Sequence, residues 1–151
     1  MKLFNLREFS TQLAPGARLI GLDPGARRIG VALSDVGRRI ASPYGTLARG
    51  KLQANAAEIT AIAAAQTAGG LVIGLPVDEL GRSAQAARDW AHALAAATGL
   101  PATMVDESFT SADAHARMIE AGLSRARRGA VVDKVAAATI LQAALDALHE
   151  F

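Results

Sequence analysis

The chain has 151 residues, of which 51% are hydrophobic and only 4% aromatic, and its formal net charge is +2. This length predicts one domain, residues 1–151, that can bury a substantial core. The lack of cysteine excludes disulfides and cysteine-ligated zinc. No apolar run reaches the roughly 18 residues of a membrane span, and no signal-like core opens the chain, so we expect a cytoplasmic protein without a membrane partner.

The first predicted strands are two apolar runs joined by a Pro-Gly turn, over residues 18–23 and 27–33. The first run has no polar residue between Leu19 and Leu22, which is typical of a strand covered on both faces. Asp23 closes it, and a charge at a buried strand end is unfavourable unless it is paired, neutralised or bound to a metal. Asp before Pro-Gly also commonly caps its own turn, so both roles stay open for Asp23.

Strands and helices alternate along the rest of the chain. We predict a strand at 39–47, a helix over 51–67 ended by Gly69-Gly70, a strand at 71–74, a helix over 83–98, a strand at 102–105, a helix over 110–121, a basic loop over 122–130 and a last helix from about Val132. Residues 1–17 form an N-terminal extension with the pattern of a short amphipathic helix. The order predicts an α/β fold with a mixed five-stranded sheet flanked by helices.

Three carboxylates stand at the ends of predicted elements. Asp23 ends the first strand, Glu107 follows the last strand, and Asp133 lies in the first turn of the last helix. A helix dipole favours an acid in a first turn, but it does not explain on which face of the helix that acid lies. Helical spacing puts Asp133 on an apolar stripe that continues through Ala136, Ala137, Ile140 and Ala144.

These acids are suited to binding a hard metal ion. Sites in open α/β sheets lie at the carboxyl ends of strands, so Asp23 and Glu107 share a rim if their strands are neighbours. Crowded carboxylates raise each other's pKa, and a divalent cation such as Mg²⁺ removes that cost. The three histidines show no metal-ligand spacing, so oxygen ligands are favoured over a zinc site.

Four motifs in the chain occur in a specific order: GLDPG with IGVA at residues 21–32, VIGLP at 72–76, VDE at 105–107, and VDKVAA followed by IL at 132–141. The set resembles the motifs of the bacterial pre-16S rRNA nuclease family, which is related to Holliday-junction resolvases. The resemblance spans about residues 18–146 and implies an RNase H-like fold. It also implies that Asp23, Glu107 and Asp133 form an acidic triad that holds one or two Mg²⁺ or Mn²⁺ ions.

The function implied by this resemblance is metal-dependent hydrolysis of phosphodiester bonds in structured RNA. The expected role is 5′-end maturation of precursor 16S ribosomal RNA, with the precursor RNA and the ribosomal subunit as partners and a monomer or weak dimer as the active form. Three alternatives stay open. They are a Holliday-junction DNA resolvase, which normally needs a dimer; an ATP-binding protein, although actin-like ATPases pair two such domains; and a non-catalytic RNA-binding assembly factor.

Arginines are the predicted contacts for nucleic acid, because the planar guanidinium matches a phosphate group. The family commonly has Arg where this chain has Ser108. If that Arg contacts phosphate, another residue must do so here, and Arg27, Arg28 and Arg82 are the candidates. The basic loop adds Arg125, Arg127 and Arg128. A solvated basic turn is the alternative interpretation of this loop.

Overall fold

The structure is a computed structural model that describes residues 3–75, 82–106 and 125–151. The elements in these ranges are α1 (Leu6–Thr11), β1 (Arg18–Pro24), β2 (Arg28–Ser34), β3 (Ala41–Ala48), α2 (Leu52–Gln66), β4 (Ala68–Leu75), α3 (Arg82–Thr98), β5 (Ala102–Asp106) and α4 (Arg125–Leu148). The helix predicted over residues 110–121 lies outside the described residues. No helix in the described ranges has both the length and the hydropathy that crossing a bilayer requires.

The strands form one mixed sheet in the order β3-β2-β1-β4-β5. β1 pairs antiparallel with β2, and β2 with β3, whereas β1, β4 and β5 run parallel. The predicted α/β architecture with a mixed five-stranded sheet is therefore confirmed. The parallel strands end at one edge of the sheet, called the carboxyl edge below, and β2 begins there.

Helices cover both faces of this sheet. Side chains alternate along β1, so Ile20 and Leu22 pack with residues of α2 and α3, while Leu19 packs with residues of α4. Gly21 lies on the α4 face, where a Cβ atom would be 2.7 Å from the Cβ of Leu141. The missing side chain lets α4 lie directly against the middle of the sheet.

The N-terminal extension forms a helix that joins the core. Asn5 caps α1 by accepting a 2.8 Å hydrogen bond from the backbone N–H of Glu8. Phe9 is completely buried in the cluster between the sheet and α4. The short amphipathic helix predicted for this segment is confirmed.

The predicted helix over 51–67 agrees with α2, but the predicted stop signal, Gly69-Gly70, was wrong. Thr67, with a φ of +55°, ends the helix in the left-handed conformation, and Gly69 and Gly70 lie inside β4. A polar β-branched residue is an unusual choice for this conformation. In the sequence, the two glycines are therefore a more obvious signal for the end of a helix than Thr67 is. In the structure, Thr67 ends the helix.

The predicted start of α4 was also wrong. The helix begins at Arg125, so residues 125–130 are helical and not a basic loop. Ala and Arg favour helix strongly enough to outweigh Gly129, whose cost is about 1 kcal/mol. Asp133 consequently lies about two turns inside the helix, and the dipole, which acts within the first turn, does not account for it.

Candidate active site at the carboxyl edge

Asp23 is the last residue but one of β1, at the carboxyl edge of the sheet. Because Leu19 and Gly21 lie on the α4 face, alternation places Asp23 on that face as well. The residue is partly buried, and its cross-strand partner in β2 is Gly30. Asp23 thus borders the core on one side and the end of the sheet on the other.

Gly30 brings Asp133 close to this position. A Cβ atom on Gly30 would overlap the backbone carbonyl group of Asp133 and would lie 3.1 Å from the amide nitrogen of Lys134. Glycine is the residue that permits so close an approach of two backbones. Asp23 and Asp133 therefore flank Gly30, one across the strand ladder and the other across the contact between helix and sheet.

The predicted apolar stripe of α4 is the face that meets the sheet. All four of its apolar members are fully or almost fully buried: Ala136, Ala137, Ile140 and Ala144. Asp133 continues this stripe toward the carboxyl edge, where its side chain is 23% exposed. An acid at the end of a buried stripe needs a polar or cationic partner.

Arg28 supplies that partner. Its Nε atom donates to Oδ2 of Asp133 at 2.6 Å, a short charge-assisted hydrogen bond. Arg28 is the first residue of β2, and its carbonyl accepts a 2.8 Å hydrogen bond from the N–H of Gly25, which closes the turn after Asp23. The turn therefore holds Arg28 where it meets Asp133. The Arg28 side chain is 46% exposed, so this pair contributes only about 0.2–1 kcal/mol to stability.

Glu107, the third predicted acid, lies outside the described residues. It follows Asp106, the last residue of β5, which pairs with Leu75 at the carboxyl edge. Within the described ranges, no three His, Cys, Asp or Glu residues come together as a group that could hold a metal ion. The structure thus brings two predicted acids, Asp23 and Asp133, to one place and leaves Glu107 as a prediction.

Two of the predicted arginines lie at the same edge, and the other four lie in the first turns of helices. Arg27 and Arg28 are exposed at the turn between β1 and β2. Arg82 is the first residue of α3, and the first turn of α4 contains Arg125, Arg127 and Arg128. For these last four residues the structure describes the helical backbone alone.

A second arginine, Arg49, supports the same turn and was missed from the sequence. Its Nη1 donates to the carbonyl of Gly25 at 2.8 Å, and its backbone N–H donates to the carbonyl of Arg27 at 2.9 Å. The guanidinium carbon lies 5.0 Å from the ring centroid of Trp90 in α3. No local motif marks this pair, and the one signal in the sequence is that Trp90 is the single tryptophan of the chain.

Arg49 and Trp90 line a pocket of about 300 Å³, called the Arg49–Trp90 pocket below. Its other walls are small and uncharged, and they include Pro24, Gly25, Ala26 and Ala86. The pocket lies beside the turn that follows Asp23 and next to α3. Asp23 itself lies on the α4 side of the sheet, so the carboxyl edge separates the two.

One carboxyl group away from this edge has a perturbed pKa. Backbone N–H groups of Ile40 and Arg39 donate to Asp35 and hold its pKa below the ordinary value of 3.8. Asp35 lies in the turn between β2 and β3, at the opposite end of β2 from Arg28. Its carboxylate organises that turn and has no part in the candidate site.

Comparison with known proteins identifies one family. The family model RuvX, described as Holliday junction resolvase, matches residues 17–147. A protein of Acidiphilium cryptum named "Putative pre-16S rRNA nuclease" is 54% identical over 99% of this chain and 97% of its own length. A protein of the same name from Gluconacetobacter diazotrophicus is 51% identical over 99% of this chain and 100% of its own length.

Solved structures share the fold at low sequence identity. RuvC of Thermus thermophilus, in complex with a Holliday junction substrate, aligns with a TM-score of 0.56 at 17% identity, covering 89% of this chain and 96% of that one. The yeast mitochondrial Holliday junction resolvase Ydc2 aligns with a TM-score of 0.51 at 9% identity, covering 97% of this chain and 86% of that one. The expected RNase H-like fold is confirmed.

Proposed function

Because this chain belongs to the RuvX family, we propose that it is a metal-dependent nuclease that cuts structured RNA during 5′-end maturation of precursor 16S ribosomal RNA. Its relatives are nucleases, so the enzyme class is that of hydrolases acting on phosphodiester bonds. The names of the two relatives at 54% and 51% identity support the choice of RNA. The observation that supports a site at the carboxyl edge is the contact of Gly30 with the backbone of Asp133. Because Gly30 pairs with Asp23, this contact brings Asp133 next to Asp23.

We assign Mg²⁺ or Mn²⁺ to the carboxylates of Asp23, Glu107 and Asp133. The donor chemistry fits, because carboxylate oxygens are the ligands that these hard cations prefer. The Asp133 carboxylate is partly exposed and already binds a cationic group, the Arg28 guanidinium. When bound, a divalent ion supplies Lewis-acid stabilisation of charge on the phosphate and lowers the pKa of water at the site.

Arg28 is the best candidate for the phosphate contact that Ser108 cannot make. A guanidinium has five N–H donors, and the contact with Asp133 uses only the one on Nε. Arg28 can therefore orient the Asp133 carboxylate and bind a phosphate oxygen of the substrate at the same time. Arg27, exposed beside it, adds positive charge on the same turn.

We assign further contacts with the RNA backbone to arginines at the starts of two helices. Arg82 opens α3, and Arg125, Arg127 and Arg128 lie in the first turn of α4. Basic residues of this kind bind the phosphate backbone without reading sequence. We place the reaction in the cytoplasm, with precursor RNA and the ribosomal subunit as partners. A single site cuts a single RNA strand, so a monomer or weak dimer is sufficient.

Cleavage of precursor 16S RNA by purified protein tests this proposal. The assay compares Mg²⁺, Mn²⁺ and chelator, and uses Asp23→Asn as the inactive variant. Asp146→Asn is the matched control, because Asp146 is exposed near the far end of α4 and accepts a hydrogen bond from Gln142. Metal-dependent cutting by the wild type and Asp146→Asn, but not by Asp23→Asn, supports the proposal. Binding of RNA without cutting in any metal would identify a non-catalytic assembly factor instead.

A Holliday-junction resolvase is the second candidate, favoured by the description of the family model. The chemistry would be the same, but symmetric cutting of two DNA strands requires two active sites. A four-way DNA junction is therefore included in the assay, with the oligomeric state measured at the same protein concentration. Paired symmetric cuts by a dimer, without cutting of the RNA, would establish this candidate in place of the RNA nuclease.

A further inference from the structure

The Arg49–Trp90 pocket has the chemistry of a nucleotide-binding site. The guanidinium lies over the indole ring at 5.0 Å, and among the described residues it donates a hydrogen bond only to the carbonyl of Gly25. Among the residues that the structure describes, the lining of the pocket contains Arg49 as its charged side chain and no carboxylate, a combination that suits an anion. The remaining walls are apolar and small, which suits the flat face of a base.

Stacked aromatic and guanidinium groups are a recurring way of binding unpaired bases. Bases stack on indole rings and on guanidinium planes alike, and the contact tolerates any base because each has a π-face. The volume of about 300 Å³ is at the lower end of the range of about 300–1,000 Å³ for small-molecule sites. A space of this size holds one nucleotide, so we expect it to take an unpaired base in preference to a base that is paired in a duplex.

We propose that the Arg49–Trp90 pocket binds one unpaired nucleotide of the RNA substrate, adjacent to the bond that is cut. The base stacks against the Arg49–Trp90 pair, and the Arg49 guanidinium contacts the phosphate. This assignment rests on the proposed RNA nuclease function and adds to it a preference for an unpaired nucleotide beside the cleavage point.

The turn after Asp23 connects this pocket to the acids. The N–H of Gly25 donates to the carbonyl of Arg28, whose side chain holds Asp133, and the carbonyl of Gly25 accepts from Arg49. Two residues separate Asp23 from Ala26 in the pocket wall. An RNA strand that crosses the carboxyl edge would therefore reach the acids on the α4 side and the pocket on the α3 side. The seated nucleotide would determine which phosphate lies at Asp23.

Fluorescence of Trp90 reports directly on this binding, because the chain has no other tryptophan. The titration uses a short single-stranded oligoadenylate in buffer with chelator, so that binding is measured without cleavage. We expect saturable quenching, with much weaker quenching by a duplex of the same length. A nucleoside monophosphate that bound as tightly as the oligonucleotide would overturn the assignment to substrate. Saturable RNA binding, measured by anisotropy, that left Trp90 fluorescence unchanged would overturn the pocket itself.

Two variants separate binding from a structural role. Ala86→Leu fills the pocket at an exposed helical position while Arg49 and Trp90 stay in place. Arg49→Lys keeps the charge but loses the planar stack. We expect each to weaken oligoadenylate binding by about 5- to 150-fold, the range that corresponds to loss of one stacked base. The expected change in Tm is small for Ala86→Leu. Unchanged affinity in Ala86→Leu, with its helix folded, would refute the proposal.

The matched control is a second Arg–aromatic pair on the same chain. Arg7 lies 5.1 Å from the ring centroid of Phe151, away from the carboxyl edge. Arg7→Lys should leave RNA affinity and quenching at wild-type values, and an equal loss there would show that the effect is not specific to the pocket.

The outcomes distinguish this inference from the proposed function. If the wild type cleaves RNA but Ala86→Leu has no effect on RNA binding, only this inference is refuted. Quenching by RNA without cleavage in any metal would remove the nuclease proposal, and with it the placement beside a scissile bond.

Discussion

Gly30 lies directly against the peptide carbonyl of Asp133, and its partner across the strand ladder is Asp23. One glycine thus determines how close two acids from distant parts of the chain can come. The depth at which α4 lies on the sheet depends on it, and so does any metal site that uses both acids.

Gly30→Ala should damage both stability and activity. The added Cβ meets backbone atoms of α4, which cannot rotate away as a side chain can. We expect a loss of about 1–3 kcal/mol in the free energy of unfolding, as for overpacked cores, together with loss of cleavage. Gly45→Ala in β3 is the control, because nothing lies within 4 Å of its added Cβ. Thermal unfolding that is equal in the two variants would contradict this contact.

Asp133→Asn should affect activity far more than stability. The variant loses a partly exposed ion pair with Arg28, which costs under about 1 kcal/mol. Cleavage should collapse and recover in part at raised Mn²⁺ if the carboxylate is a metal ligand. Asp146→Asn on the same helix should retain full activity. Persistent cleavage by Asp133→Asn in Mg²⁺ would remove Asp133 from the site.

Metal binding should stabilise the folded wild type. A ligand that binds only the folded state raises the free energy of unfolding by about 2.7 kcal/mol at a hundredfold excess over Kd, and Tm rises with ligand concentration accordingly. We expect Mn²⁺ to raise the Tm of the wild type and to have little effect on Asp23→Asn. Calorimetric titration of both proteins checks the same point. An equal Tm shift in the variant would show that the ion binds elsewhere.

The arginines of the first α4 turn should contribute to the salt dependence of RNA binding. Replacing Arg125, Arg127 and Arg128 together with Gln keeps helix propensity and removes three charges. Each lost phosphate contact on a single strand lowers the slope of log affinity against log salt by about 0.7, so the slope should fall by about 2. Arg7→Gln should leave it unchanged. A triple variant with the wild-type slope would show that these residues are merely solvated.

Asp35 should make stability depend on pH in acid. Hydrogen bonds from the N–H groups of Ile40 and Arg39 hold its pKa below 3.8, so the folded state favours the carboxylate. The resulting stability is fully present above the ordinary pKa and is lost as pH falls through the lower folded pKa. The Tm difference between wild type and Asp35→Ala should therefore shrink as pH is lowered below about 4. A difference independent of pH would contradict this role.

Local patterns in the sequence were sufficient for the strands and for the face of α4. Apolar runs that end in Gly, Pro or Asp mark β1 and β4, because alternation and turn chemistry are properties of neighbouring residues. The stripe through Ala137 and Ile140 predicted which side of α4 is buried, since helical period is equally local. Asp23 and Asp133 could be chosen on these grounds before the sheet order was known.

Only the tertiary structure decided which distant groups meet. Arg28 and Asp133 are 105 residues apart in sequence, and neither Arg49 nor Trp90 belongs to a local motif. The start of α4 at Arg125 was also missed, because one glycine and a run of charge outweighed helix propensity in the prediction. Contacts of this kind depend on strand order and on how deeply a helix lies on the sheet. In this protein the second condition is set by the absent side chains of Gly21 and Gly30, whose effect appears only once α4 is in place.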